Sequence, residues 1–99
     1  MLKKFIVLFR ENPDAPSSIR KDVFPAHLAF LEEHATQITD AGTLFHADNS
    51  RFGGLWIIEA DNHSKVVDLV HNDPFWPTGL RLSFEVLEWR KVVEAGRAV

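Results

Sequence analysis

Phe5, Val7 and Phe9 alternate with Ile6 and Leu8, so Leu2 to Phe9 reads as a strand that is apolar on both faces. Such a strand belongs in the middle of a covered sheet. The stretch from Glu11 to Ser18 carries Pro13 and Pro16 among turn formers and reads as a loop, with Ser17 and Ser18 able to cap a short helical turn near Ile19. From Pro25 to Ile38 the apolar period becomes helical. Leu28, Leu31, Ala35 and Ile38 fall within about an 80° arc, His27 and His34 lie on its border, and Pro25 occupies a first turn where no intrahelical bond is lost. The helix fades at Asp40-Ala41-Gly42. Thr43 to Ala47 is then a short strand, Asp48 to Gly54 a turn, and Leu55 to Ala60 a second strand apolar on both faces except at Glu59. Asp61-Asn62 caps a short helix carrying Val66, Val67, Leu69 and Val70, which stops at Asp73 because Pro74 disfavours helix in the residue before it. Phe75 to Gly79 is a turn or single helical turn. Leu80 to Glu88 alternates, with Leu82, Phe84 and Val86 opposed to Arg81, Ser83 and Glu85. The tail from Arg90 is mixed and loose apart from contacts near Trp89 and Val92.

The predicted order is β-α-β-β-α-β. This is the ferredoxin-like α+β arrangement, a four-stranded antiparallel sheet with both helices on one face, in a single domain over residues 1–99. Its inner strands are the first and third, the two that read as apolar on both faces. Helices cover only one face, so the other would present apolar side chains to water. Pairing of two copies through that open sheet face, as a homodimer, removes the exposure.

Composition narrows the function. Eleven basic against fourteen acidic residues give a net charge of −3 with no Lys/Arg cluster, which argues against nucleic acid as a partner. The chain has no cysteine, which excludes disulfides, thiolate chemistry and cysteine-held metals and fits a cytoplasmic location. The apolar run from Phe5 to Phe9 is too short for a membrane span, so no membrane partner is expected.

Five histidines, His27, His34, His46, His63 and His71, raise the question of a metal. His27 and His34 are seven apart on one helix, about 10 Å along its axis, too far to share an ion. No metal or cofactor is expected. His27, opening the helix beside its apolar stripe, suits proton transfer near neutral pH, with Phe24, Phe30 and Leu31 as an apolar wall. From periodicity alone it reads first as a half-buried histidine bonded to a backbone carbonyl. Asp73, before Pro74, can cap its own turn, or it can orient His27, as a carboxylate does for a catalytic imidazole. Phe75 and Trp76 beside it offer apolar lining for a small-molecule substrate. Arg10, Arg20, Arg51 and Arg81 could each meet an anionic group, and Arg10 is the one assigned to the substrate.

Several of these segments together resemble the YciI-like (YCII-related) family. They are the opening strand, Phe24-Pro25-Ala26-His27-Leu28-Ala29, Asp40-Ala41-Gly42-Thr43-Leu44, Ile58-Glu59, and Asn72-Asp73-Pro74-Phe75 followed by Gly79-Leu80. The resemblance implies a ferredoxin-like fold pairing into a dimeric α/β barrel, with His27 and Asp73 as an active-site pair. It also implies chemistry similar to lyase work on small cyclic or aromatic substrates, including removal of chloride. Two departures stand out: Phe24 replaces a usual arginine, and Thr43 an frequent proline. Arg20, one turn earlier, replaces that arginine only if the helix extends back past Pro25. Two functions remain open at this point. One is an enzyme of lyase or isomerase type using His27 and Asp73, and the other is a non-catalytic metabolite-binding or assembly dimer.

Overall fold

The computed structural model describes all residues, 1–99. Strand β1 (Lys3–Glu11) buries Phe5, Val7 and Phe9 on one face and half-buries Ile6 and Leu8 on the other. It pairs antiparallel with β3 (Arg51–Ala60) and β4 (Arg81–Glu88), while β2 (Ile38–Phe45) pairs with the outer side of β3. The order β2-β3-β1-β4 places the two strands that are apolar on both faces in the centre. Helices α1 (Ser17–Glu33) and α2 (His63–Asn72) complete the ferredoxin-like β-α-β-β-α-β fold. Phe5, Val7 and Phe9 meet Trp56, Ile58 and Ala60 from β3, Phe30 from α1, Ile38 from β2, and Val66, Leu69 and Val70 from α2 in one core. No helix is long and apolar enough to cross a membrane.

Several boundaries differ from the sequence expectation. The first helix starts at Ser17, and Pro25 lies inside it. A helical φ suits proline, so the ring is accommodated. Its price is the missing N–H that would have bonded to the carbonyl of Lys21. The N-cap is Pro16, without a side-chain cap bond, so neither Ser17 nor Ser18 caps the helix. With weak local signals, α1 depends on packing of its inner face for stability. Its end comes at Glu33, and Ile38 is a buried residue of β2 rather than the last of a helical stripe. Gly53 and Gly54 lie inside β3, not in a turn. A Cβ at Gly53 would stand 1.8 Å from the carbonyl oxygen of Phe9, so only glycine lets β1 and β3 approach there.

Helix α2 begins at Asn62, whose side chain accepts from the Lys65 N–H, and ends before Asp73, in keeping with Pro74. A single 3-10 turn, Trp76–Thr78, follows, and Gly79 at φ 79° redirects the chain into β4. Strand β4 is less regular than its alternation suggests. Arg10 faces Ser83 but Glu11 faces Arg81, so Leu82 is an extra residue, a bulge. Leu82 is 64% exposed as a result, and only Phe84 and Val86 of the expected stripe pack on the core. The tail is ordered as well. Strands β5 (Val93–Glu94) and β6 (Arg97–Ala98) form a hairpin whose turn residues Ala95 and Gly96 both have positive φ, as a type I′ turn requires.

Candidate active site

A cavity of about 290 Å³ lies at one end of the sheet, beneath α1. The sequence opens it. On the helix-facing side, Trp56 is paired with Ala41, and Gly54 with both Phe9 and Thr43, so small side chains stand where bulky ones would close the space. The lid is a stripe on α1: Arg20, Phe24, the neighbours His27 and Leu28, and Leu31 fall on successive turns and all line the cavity. Phe9, Trp56, Phe75 and Leu80 complete the apolar wall.

His27 sits in the middle of α1, not at its opening, and is 8% exposed. Its Nδ1–H donates to Asp73 Oδ1 at 2.9 Å, a bond across 46 residues of sequence. An ionised carboxylate can only accept, so the proton on this edge belongs to the imidazole. His27 makes no other hydrogen bond, and no buried polar side-chain atom is left unpaired. Nε2 therefore keeps accessible surface, and His27 is one of the residues that line the cavity. The Phe75 ring lies 4.4 Å from the imidazole, centroid to centroid.

Asp73 is 1% exposed and fully engaged. Its Oδ1 also accepts the Phe75 N–H at 3.0 Å, so the carboxylate both caps its own turn and reaches His27. Its Oδ2 accepts from Arg81 Nη1 at 2.7 Å. Burial by itself would raise the Asp73 carboxyl. The His27 hydrogen bond, the Arg81 charge and the Phe75 N–H together outweigh it and hold the group below its ordinary 3.8. Burial pulls the Arg81 guanidinium down from its usual value while Asp73 holds it up, and arginine stays charged regardless. The plane of Arg81 rests 3.8 Å over the Phe9 ring, with Trp56 and Phe75 also near.

The alternation of β4 set Arg81 on the face opposite Phe84 and Val86. The bulge at Leu82 turns it instead to the Glu11 side, the face of Phe5, Val7 and Phe9. No sequence signal reports this turn; Glu11 itself is a charge at the end of an apolar face that calls for a cationic neighbour. Arg20 meets it, pairing with Glu11 at the cavity wall.

Among the expected substrate contacts, Phe24 and Phe75 line the cavity. Phe30, Trp76 and Arg10 do not. Phe30 turns into the core beside Trp56, with His34 4.5 Å away. Trp76 packs edge-on against Phe84 at 5.0 Å and near His71. Arg10, one residue past Phe9, points to the other side of β1 and lies 4.8 Å over Phe52. Nowhere do three or more His, Asp or Glu side chains gather as metal ligands would.

The fold is that of small ferredoxin-like proteins described as dimeric. One, of unknown function, from Bacteroides fragilis, is 16% identical over 91% of this chain and 96% of that one, with a TM-score of 0.52. Another, from Thermobifida fusca, is 10% identical over 92% of each chain, TM-score 0.51. A family model described as YCII-related domain matches residues 4–90, and the chain belongs to that family. A further similar structure is 5-chloro-2-hydroxyhydroquinone dehydrochlorinase from Burkholderia phenoliruptrix, in complex with 2,5-dihydroxybenzoquinone. It is 34% identical over 91% of this chain and 94% of that one, with a TM-score of 0.69. No curated protein sequence matches the chain.

Proposed function

We propose that the protein is a cofactor-independent enzyme that carries out general acid–base chemistry, of lyase or isomerase type, on a small cyclic or aromatic substrate. The observation that carries this reading is the buried His27–Asp73 hydrogen bond at the wall of an apolar cavity. His27 is the proton-transfer group and works through Nε2. Asp73 fixes the tautomer and stabilises the imidazolium that forms. Arg81 is a positioning residue that keeps Asp73 ionised. Phe24 and Phe75 hold the ring. Similarity to a dehydrochlorinase at 34% identity supports elimination of hydrogen chloride from a chlorinated, polyhydroxylated ring.

In that reaction Nε2 accepts a proton from a ring hydroxyl. The electron pair left on oxygen forms a carbonyl, and the imidazolium returns the proton to the carbon bearing chlorine. A second hydroxyl proton then passes to Nε2 while the C–Cl bond breaks, its electron pair leaving as chloride. The products are a quinone, chloride and one proton released to solvent.

The active unit we propose is a homodimer formed through the open sheet face. Ile6, Leu8, Leu55 and Ile57 pair across β1 and β3 there and are only half-buried in the single chain, with Leu87 beside them. An apolar face of this kind is covered in stable proteins.

The test is chloride release from a panel of chlorinated hydroxyhydroquinones. His27→Ala should lower turnover by about 10²–10⁴ while far-UV circular dichroism stays that of the parent. Full turnover by that variant on a substrate the parent consumes would overturn the assignment. A parent that binds ring compounds and converts none would point to a metabolite-binding module.

A further inference from the structure

We infer that the substrate is an anion, a ring bearing an ionised oxygen, and that Arg20 receives that oxygen. The inference rests on the acid–base reading of the cavity and specifies its ligand.

Arg20 stands seven residues before His27 on α1, and two turns bring both side chains to nearly the same face of the helix. Both line the cavity, with Phe24 between them. Their backbone positions are about 10.5 Å apart along the axis, and both side chains border the one cavity of about 290 Å³. A ring held at one end by His27 thus presents its opposite substituent to Arg20. Extension of α1 back to Ser17 is what makes this possible, since a helix starting at Pro25 would leave Arg20 in a loop.

Charge points the same way. The chain is acidic overall, with a net charge of −3. Around this cavity and the shallow cleft that continues from it past Arg20 and Arg51, however, three guanidiniums, Arg20, Arg51 and Arg81, face two carboxylates, Glu11 and Asp73. Arg81 is committed to Asp73 and to the Phe9 ring. Arg51 makes no ion pair and lies 5.3 Å over Phe45. Burial first, then the charges of Arg51 and Arg81, lower the Arg20 guanidinium from its usual value. A guanidinium has five N–H donors, and a carboxylate occupying one edge leaves others to offer. Glu11 therefore aligns Arg20 without consuming it.

The experiment is equilibrium binding of two probes of matched shape, para-nitrophenolate and para-nitroaniline, at mildly alkaline pH, where the first is anionic and the second neutral. Quenching of tryptophan fluorescence reports occupancy, since Trp56 lines the cavity. The parent protein should prefer the anion by about 10-fold or more, the worth of one charge-assisted hydrogen bond. Arg20→Gln should abolish the preference and leave the neutral probe's affinity as it was, while Arg20→Lys should keep part of it. Arg97→Gln, an equal charge change on the exposed β6, should leave it intact. No preference in the parent, a preference that survives Arg20→Gln, or equal weakening of both probes overturns the assignment. Because no turnover is involved, these outcomes are separate from a failure of His27→Ala to slow catalysis.

Discussion

Replacing Arg81 by methionine removes the only cation in contact with Asp73 Oδ2 and leaves the apolar stem to cover Phe9. Asp73 side chain has no exposed surface and that of Arg81 is 10% exposed, so water cannot take over the lost partner. Breaking a buried pair from one side costs about 3–5 kcal/mol, a large share of the roughly 5–15 kcal/mol that holds a domain folded. The pH dependence separates this from a mere packing defect. In the parent the folded-state carboxyl of Asp73 lies below its ordinary 3.8, so its ionised form contributes stability that is present above that value and is lost as pH falls through the lower, folded one. Without Arg81, burial is the leading influence and the folded-state carboxyl rises. The gap between variant and parent is therefore widest at neutral pH and closes on acidification, from the raised carboxyl of the variant down to the lowered one of the parent. Urea denaturation followed by circular dichroism, repeated at steps from neutral to acidic pH, measures it. Arg81→Lys keeps the charge without the planar fork and should fall between the two. Combined with Asp73→Asn, the loss should be well below the sum of the single losses. A gap that stays constant across the pH series, or single losses that simply add, refutes the reasoning.

Two further substitutions probe the scaffold. Gly53→Ala places a methyl 1.8 Å from a Phe9 backbone oxygen, whereas Gly42→Ala meets nothing within 4 Å. The first should destabilise by about 3 kcal/mol or more and the second by no more than about 0.5 kcal/mol, and similar denaturation midpoints for both would contradict the strand register. Ile57→Lys puts a charge at the centre of the open sheet face, opposite Ile6. Sedimentation should show a dimer for the parent and a monomer for the variant, and a monomeric parent sinks the pairing proposal.

The sheet was legible because its code is local. Phe5 to Phe9 and Leu55 to Ala60 are apolar on both faces, and these are the two inner strands. Helix α2 was legible for the same reason, with Asn62 as a cap and Pro74 as a stop. The limits of α1 were not, because Pro25 marks a helix start far more often than a helix interior, and only tertiary contacts from His27 and Phe30 reveal which applies. That one misplacement hid the Arg20–Phe24–His27 stripe. Arg81 was hidden by a different cause: whether a residue is bulged depends on the partner strand, which the alternation of Leu82, Phe84 and Val86 cannot report. The tail hairpin turns on Ala95 with φ 49°, a conformation alanine rarely takes, so Ala95-Gly96 reads weakly as a turn.

The places where local rules fail are also where the site is assembled. Proline inside α1 carries the helix across the cavity with His27 on its inner face. The break at Asp73-Pro74 ends α2 at a carboxylate that would otherwise have continued a helix. The bulge at Leu82 turns a charged residue from the outer face of β4 to the inner one. Each irregularity weakens its own element, and the three converge on one carboxylate that accepts from His27, Phe75 and Arg81 at once. A core built for stability alone would fill this end with aliphatic side chains of the kind that Val66, Leu69 and Val70 of α2 bring to the core. Local frustration gathered on a satisfied polar network beside an open cavity is what the acid–base role proposed for His27 and Asp73 requires.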